Sequence, residues 1–341
     1  MEKFTKKKEG AVEVFLPSES KVSKDLPVFY NPVMEYNRTL SIALLNALDE
    51  KDLQLAFPLS GTGVRGIRFI RELKKGIIKK VYFNDIDEEA AKLIKKNLAL
   101  NNISKTRPGI EIHNKDANQF LLEGKGFDYI DIDPFGSPNK FLNNAIERLS
   151  RGGILAVTAT DTGALCGTYK DACLRKYWAI PMHTEEMHEI GLRILIRKVQ
   201  LVGTQFEKAL IPMLSYDKDH YMRVFFRCIK AKKDCDRVLQ KHEHYRSAGP
   251  IWTGELCDKK IIRKIDLDDK FTRLLKDEIN ALGFYDIPSL IKKHKIKKQK
   301  KIDQILKEIK RSGYRASRTH FSLQGIKTNM PLEQMLHILN N

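Results

Sequence analysis

The octapeptide "DIDPFGSP", residues 131–138, follows an apolar stretch that is typical of a buried strand. Strand side chains alternate between two faces, so Asp131 and Asp133 point the same way. An exocyclic base amine is a poor nucleophile unless an acceptor takes its proton, and a carboxylate at the strand tip is such an acceptor. The ring of Phe135 can stack on a flipped base. We therefore predict that Asp133 is catalytic and that Phe135 is a stacking platform, with Asp131 behind Asp133; the alternative is a plain turn with a buried phenylalanine.

A glycine-rich turn precedes this motif at residues 59–66, "LSGTGVRG". Gly61, Gly63 and Gly66 fit a G-x-G-x-x-G pattern, which lets the backbone approach a nucleoside cofactor closely. We assign Gly61 and Gly63 to the cofactor site. The pattern also suits NAD, and a purely structural turn fits it equally well.

Acidic residues follow the next two predicted strands. Asp85 comes after Gly61 at close to the roughly 20-residue spacing expected for a ribose-binding carboxylate, whereas Asp87 suits a helix N-cap. Asp116 can accept from an adenine amino group while the Ala117 amide donates to the ring, or Asp116 can cap the helix that follows. Together these strand ends indicate a nucleoside cofactor, without separating NAD from S-adenosylmethionine.

Alternating strand and helix patterns must position these residues. A helix is predicted from a cap at Asn37 to about residue 50, after an irregular stretch over residues 11–36. We then expect strands at 54–59, 80–84, 110–113, 127–133 and 153–160, and helices at 63–73, 88–101, 118–122, 139–149 and 185–201. Strands 208–216 and 220–230 are joined so closely that they must form an antiparallel hairpin. A parallel sheet that ends in such a hairpin predicts an α/β fold of the class I S-adenosylmethionine-dependent methyltransferase type, which is Rossmann-like.

The chain is strongly basic, with 61 Lys+Arg against 43 Asp+Glu and a formal charge of +18. Such a surplus favours a polyanionic partner. Basic residues concentrate after residue 232, in the lysine-rich stretch 292–301 and in residues 311–321, where Arg315 and Arg318 alternate with Tyr314, His320 and Phe321. We predict a methyltransferase domain over residues 1–232 and a smaller, basic, mainly helical α+β domain over residues 233–341 that binds RNA through Arg315 and Arg318.

The motifs resemble those of the tRNA (guanine-N2)-dimethyltransferase family, which methylates guanine 26 of tRNA. The resemblance spans nearly the whole chain and rests on residues 28–38 "VFYNPVMEYNR", 60–68, 84–86, 131–138, 158–167, 313–321 and 325–328. It implies tRNA as the partner and S-adenosylmethionine as the donor of two successive methyl groups, with Asp133 as the catalytic carboxylate. It also implies that Phe29 and Phe135 hold the guanine, and that the cofactor contacts Arg38, Arg65, Asp85, Asp116 and Ala117. Arg38 could pair with the methionine carboxylate as a bidentate fork.

One departure concerns zinc, which many members of the family hold with paired cysteines after the last strand. Cys228, Cys235 and Cys257 offer no close pair, so no metal site is expected. No apolar run reaches the length of about 18 residues needed to span a membrane, so we expect a cytoplasmic protein, and no obligate protein partner is evident.

Two other functions stay open at this point. One is an amino-methyltransferase acting on adenine in DNA or ribosomal RNA, and the other is a catalytically idle RNA-binding protein with the same fold. The sequence does not decide between a mono- and a dimethylated product. The role of residues 161–170 is also undecided, because this loop lies at the cofactor end of the sheet but can equally satisfy its own turn.

Overall fold

The computed structural model describes residues 4–17, 28–104, 109–297 and 300–340. Residues 18–27 of the predicted irregular stretch and residues 298–299 of the lysine-rich stretch lie outside the described residues. Within the described part, no helix combines the length and apolar character needed to cross a membrane.

The chain begins with a hairpin that the sequence analysis missed. Strands β1 (Phe4–Glu9) and β2 (Val12–Pro17) pair in antiparallel fashion, and Gly10 in the turn has a φ of +56°. Val12, Val14 and Leu16 alternate along β2 and are buried. The prediction that the chain is irregular from residue 11 is therefore wrong for Val12–Pro17.

The first helical segment starts earlier than predicted. A 3-10 turn, Pro32–Met34, is capped by Asn31, whose side chain accepts the Val33 N–H, and leads directly into α1 (Glu35–Ala47). Asn37, predicted as the helix cap, is wrong in that role, since it lies inside α1 and is fully buried. Its side-chain oxygen instead accepts a hydrogen bond from Arg65.

The predicted alternation of strands and helices is confirmed. The central sheet contains β3 (Leu53–Phe57), β4 (Ile78–Asp85), β5 (Ile110–Asn114), β6 (Phe127–Ile132), β7 (Leu149–Ala159), β8 (Lys208–Lys218) and β9 (Tyr221–Lys230). The helices between these strands are α2 (Val64–Glu72), α3 (Glu88–Leu100), α4 (Ala117–Glu123), α5 (Asn139–Arg148), α6 (Thr162–Leu165), α7 (Lys170–Tyr177) and α8 (Met187–Gln205).

The seven strands lie in the order β5-β4-β3-β6-β7-β9-β8. The first five strands in this order, β5, β4, β3, β6 and β7, are parallel to one another, whereas β9 is antiparallel to both β7 and β8. This is the predicted class I methyltransferase arrangement. Because β3 and β6 are neighbours at the centre, the turns that follow them open on the same edge of the sheet.

The remainder of the chain combines short helices with short strands, as predicted. Its elements are α9 (Lys232–Leu239), β10 (His242–Tyr245), β11 (Ala248–Trp252), α10 (Lys259–Lys264), α11 (Lys270–Asp277), β12 (Tyr285–Asp286), α12 (Ile287–His294), α13 (Ile302–Arg311), β13 (Ala316–Arg318), β14 (Gly325–Thr328) and α14 (Leu332–Asn340).

The hydrophobic cores do not follow the predicted domain division at residue 232. The core of the central sheet continues through Trp252, Ile262, Leu275 and Phe284. A separate apolar cluster is built from side chains between Ile287 and Leu339. The division into residues 1–232 and 233–341 stays a prediction, and the packing indicates that residues 233–284 are anchored to the sheet.

Candidate active site

A cavity of about 320 Å³ opens at the carboxyl ends of β3 and β6. Its wall combines the glycine-rich turn after β3, the turn after β6 that carries Asp133 and Phe135, and part of the segment before α1, including Phe29. This size is at the lower end of the range for small-molecule sites. The three sequence motifs that were predicted to do chemistry thus meet in one place.

The turn after β3 requires its glycines. Gly61 and Gly63 have φ values of +51° and +77°, in the left-handed region that glycine tolerates best. A Cβ added to Gly61 would lie 2.7 Å from the carbonyl oxygen of Phe29. Both glycines line the cavity, so this turn brings backbone within reach of a bound ligand.

Asp85 fixes that turn from the next strand. Its carboxylate accepts the Gly61 N–H at 2.7 Å and the Asp87 N–H at 3.1 Å, and burial raises its pKa. Asp87 caps α3 by accepting the Glu89 N–H, as predicted. Asp85 is not part of the cavity wall formed by the described residues, so its predicted contact with a ribose stays a prediction.

Asp116 adopts the structural alternative that the sequence left open. Its carboxylate accepts the N–H groups of Asn118 and Gln119 at 2.8 and 3.2 Å and so caps α4. Ala117, the first residue of the helix, is buried. Neither residue lines the cavity within the described part of the chain, and their contacts with an adenine ring stay predictions.

Asp133 is held by Arg65, which projects from the first turn of α2. Asp133 Oδ2 pairs with Arg65 Nη2, and Arg65 Nη1 donates to the side-chain oxygen of Asn37 at 2.8 Å. The side chain of Asp133 is 20% exposed, whereas that of Arg65 is 10% exposed. Arg65 was predicted as a cofactor contact; it lines the cavity, but its guanidinium also positions the predicted catalytic carboxylate.

A second carboxylate lies deeper in the same network. Asp131 accepts hydrogen bonds from Arg223 Nη1 and Nη2 at 2.9 and 2.7 Å, and from the Tyr129 hydroxyl at 2.5 Å. Burial raises the pKa of Asp131, but the charges of Arg223 and Arg65 lower it more, so the net pKa is below the usual value. Asp131 and Asp133 both face Arg65, as the strand alternation predicts.

Arg38 is also occupied within the protein. Its Nε and Nη2 donate to the two carboxylate oxygens of Glu9 at 2.6 Å each, and Arg68 reaches Glu9 at 3.1 Å. Burial raises the pKa of Glu9, but Arg38 lowers it below the usual value. The predicted bidentate fork toward a cofactor carboxylate is therefore formed with Glu9 instead. Arg38 lines the cavity, and its cofactor contact stays a prediction.

The two predicted base-holding rings contact each other. The centroids of Phe29 and Phe135 are 4.1 Å apart, with an interplanar angle of 68°. Rings this close leave no space for a base between them. The predicted contact of both rings with a guanine therefore requires the base to stack on an outer face or to separate the pair. Phe135 is 47% exposed, which rules out the alternative that it is a buried core residue.

The C-terminal arginines differ from each other. Arg318 pairs with Asp303 at 2.8 Å, whereas the side chain of Arg315 is exposed. His320 and Phe321 were predicted to alternate with these arginines on an RNA-binding surface. That prediction is wrong for both rings: the side chain of His320 is 1% exposed and hydrogen-bonds to Glu278, and Phe321 is only 8% exposed.

No metal centre is found among the described residues. They contain no group of three or more His, Cys, Asp or Glu side chains placed to hold an ion. The five cysteines are buried and free of disulfide bonds.

The similarity to known proteins extends over nearly the whole chain. A family model described as N2,N2-dimethylguanosine tRNA methyltransferase matches residues 10–245 and 238–340. The chain is 36% identical to the tRNA (guanine(26)-N(2))-dimethyltransferase of Methanosphaera stadtmanae, over 97% of this chain and 95% of that protein. It is 34% identical to an Aquifex aeolicus relative named for guanine 26 and guanine 27, over 96% and 94% of the two chains. The solved structure of Trm1 from Pyrococcus horikoshii with S-adenosyl-L-methionine gives a TM-score of 0.90 at 35% identity, covering 98% of this chain and 99% of that chain.

Proposed function

The chain belongs to the N2,N2-dimethylguanosine tRNA methyltransferase family, and we propose that it methylates the exocyclic N2 amine of guanine 26 in tRNA twice in succession, with S-adenosylmethionine as the donor. The observation that carries this function is the partly exposed carboxylate of Asp133, held by Arg65 at the cavity wall. The relatives supply the identity of the base and of the RNA.

Asp133, not Asp131, is the proton acceptor. Asp131 is bound on both oxygens by Arg223 and Tyr129, and its side chain is only 2% exposed. Asp133 uses one oxygen for Arg65, while its side chain is 20% exposed in the cavity wall. A carboxylate with one oxygen fixed by a cation can present the other to an amine proton.

Two transfers to one amine release two protons, because each new N–C bond replaces one N–H bond. The acceptor must therefore return its first proton to water before the second transfer. The partial exposure of Asp133 gives that proton a path to solvent, which the burial of Asp131 denies.

The residues of the cavity fit a methyl donor of this kind. S-adenosylmethionine, when bound, supplies an electrophilic methyl group on a sulfonium. Gly61 and Gly63 let the backbone approach the ligand, and Arg38 and Arg65 line the same cavity. We also propose that Asp85, Asp116 and Ala117 contact the nucleoside at the edge of this site.

Contacts beyond the cavity must supply affinity for a whole tRNA, since the cavity holds a single base. We propose that Arg315 contributes to this through phosphate contact, because its side chain is exposed. Arg318 can do the same only by exchanging its ion pair with Asp303 for a phosphate.

The test is methylation of an unmodified tRNA transcript with labelled S-adenosylmethionine, followed by nucleoside analysis at successive times. We expect N2-methylguanosine to appear first and N2,N2-dimethylguanosine to replace it. A transcript with adenine at position 26 is the matched control and should incorporate no methyl group there. Methyladenine as the product would instead support the adenine-methyltransferase alternative, and binding of tRNA without any transfer would support the idle RNA-binding alternative.

A further inference from the structure

Residues 161–178 expose an unusual number of large apolar side chains. Tyr169 is 65% exposed, Trp178 is 52% exposed and Leu174 is 38% exposed. The second tryptophan of the chain, Trp252, is buried. Exposed rings grouped on one short segment are typical of a surface that binds a partner.

This segment is attached directly to the rim of the cavity. The Tyr177 hydroxyl, at the end of α7, donates to Asp161 at 2.6 Å, and its oxygen accepts from the Ser137 hydroxyl at 3.1 Å. The Asn139 side chain donates to the Lys176 carbonyl at 2.7 Å, and the Lys176 ammonium pairs with Asp161 at 3.1 Å. Because Ser137 belongs to the turn that carries Asp133 and Phe135, α7 is fixed beside the base site.

Three exposed cations beside the cavity have no ion-pair partner among the residues that the structure describes. Lys170 and Arg175 on α7 are exposed and form no ion pair with any residue that the structure describes. The same holds for Lys140, which adjoins Asn139 at the start of α5. Asp171 is the acidic residue of α7, so the positive charges exceed the negative ones on this face. Such a face is complementary to a polyanion.

Trp178 is held in a fixed position. Its backbone has a φ of +56°, which is rare for a residue other than glycine, and its carbonyl accepts a hydrogen bond from Arg197 at 3.1 Å. The Lys198 ammonium lies 2.9 Å from the centre of the indole ring and covers one face. Half of the Trp178 surface is nevertheless exposed, and a side chain already held in place can stack on a planar group with little further loss of freedom.

We propose that the α7 surface, formed by Tyr169, Lys170, Leu174, Arg175 and Trp178, binds the tRNA strand next to the methylated guanosine. The rings stack on neighbouring bases or riboses, and the two cations contact phosphates. A base that leaves its stack exposes the faces of its neighbours, and an aromatic surface beside the cavity can replace that lost stacking. This inference rests on the proposed function and assigns a role to the loop over residues 161–170, which positions Tyr169.

Two double variants separate the charge contribution from the stacking contribution. In K170A/R175A both exposed cations are removed, and in Y169A/W178A both exposed rings are removed. The matched control is K75A/R151A, which loses the same charge at exposed positions near the amino ends of β4 and β7, away from the cavity. Binding of unmodified tRNA transcript is measured over a series of salt concentrations, and S-adenosylmethionine affinity is measured by calorimetry.

For K170A/R175A we expect the slope of log Kd against log salt to fall by about one unit for each lost phosphate contact. For Y169A/W178A we expect Kd for tRNA to rise roughly 5- to 150-fold per lost stacked base, with the slope retained. The control should match the wild type, and cofactor affinity should be unchanged in all three variants.

The inference is overturned if K170A/R175A binds tRNA with the affinity and salt slope of the control; the surface would then suit a protein partner better. Both cations are exposed, so this variant decides the question even if Y169A/W178A fails to fold. The wild type reports separately on the proposed function. If it methylates the transcript while the variants bind normally, only the inference about α7 fails; if it neither binds nor methylates tRNA, the proposed function fails first.

Discussion

Replacing Asp133 with asparagine separates its chemical role from its structural one. Asparagine has the same size and keeps a carbonyl oxygen that Arg65 can donate to, but it cannot accept a proton at neutral pH. We expect the methyl-transfer rate of Asp133→Asn to fall by roughly 10²–10⁴-fold, the contribution of a positioned general base. That loss corresponds to about 3–5.5 kcal/mol in the activation barrier.

The effect on stability should be small, and the surrounding contacts show why. Arg65 keeps Asp131 at 3.5 Å and the Asn37 oxygen at 2.8 Å, so its charge is not left without a partner. The side chain at position 133 is also partly exposed, so water can hydrogen-bond to the groups that lose the carboxylate. We expect a loss of about 1 kcal/mol in the free energy of unfolding, comparable to one hydrogen bond.

The matched control is Asp131→Asn, two residues away on the same face. Arg223 is fully buried, and Asp131 accepts two of its hydrogen bonds. Removing the charge of Asp131 leaves that guanidinium without its main counter-charge, and breaking a buried pair in this way typically costs about 3–5 kcal/mol. The two isosteric changes should therefore differ in their main effect. D133N should mainly slow methyl transfer, whereas D131N should mainly lower the free energy of unfolding.

The assays are single-turnover methylation of tRNA at saturating enzyme, calorimetric titration of S-adenosylmethionine, and urea unfolding. Single turnover isolates the chemical step from product release. A D133N enzyme that transfers methyl groups at near the wild-type rate would refute the assignment of Asp133 as the acceptor. Equal destabilisation by D133N and D131N would refute the distinction between an open and a buried carboxylate.

Three further predictions concern single side chains. Phe135→Ala should raise the KM for tRNA by roughly 5- to 150-fold, because base stacking contributes about 1–3 kcal/mol, and should leave the thermal unfolding midpoint nearly unchanged; an unchanged KM would contradict the stacking role. His188 hydrogen-bonds to Asp217, which raises its pKa from 6.5 to about 10. Its stabilisation is complete below pH 6.5 and is lost as the pH rises through about 10, so the difference in unfolding free energy between wild type and H188Q should shrink over that window, and a constant difference would contradict the pairing. Arg315→Ala should flatten the salt dependence of tRNA binding by about one unit of slope, whereas Arg318→Ala should change it less because of the pair with Asp303; equal effects would show that this pair exchanges freely for phosphate.

The order of the central elements could be read from the sequence because each one carries a local signal. Apolar runs bounded by glycine or aspartate marked the strands, and the short link over residues 217–219 allowed only a hairpin. The convergence of Gly61 and Asp133 in one cavity followed from the rule that ligands bind at the carboxyl ends of parallel strands.

The first hairpin was missed although its signal was present. Val12, Val14 and Leu16 alternate with more exposed residues, and Gly10 marks the turn before them. Strand β1 is rich in lysine, and most of its side chains are exposed or only partly buried. Its sequence therefore lacks the apolar alternation that would have indicated a partner for β2. Glu9, at the end of that strand, is the buried partner of Arg38, and the sequence analysis assigned it no role.

Arg223 had no local signal of any kind. It is the third residue of β9, 92 residues from Asp131, and an arginine between apolar neighbours of a strand gives no indication of its partner. Its location could be inferred only after the register was known, because β7 separates β6 from β9 in the sheet. Long-range ion pairs of this kind depend on the assembled sheet and not on the spacing of residues along the chain.

Helix α2 links the two buried ion-pair groups of the site. Arg65 and Arg68 are three residues apart on it, a spacing that places both on one side of a helix. Arg65 holds Asp133, whereas Arg68 joins Glu9 and thereby the pair that fixes Arg38. Gly63 is the N-cap of α2, so the glycine turn that lines the cavity also fixes where both guanidinium groups are placed. The carboxylate that we propose as catalytic is therefore oriented by a side chain of the helix that begins at the glycine turn.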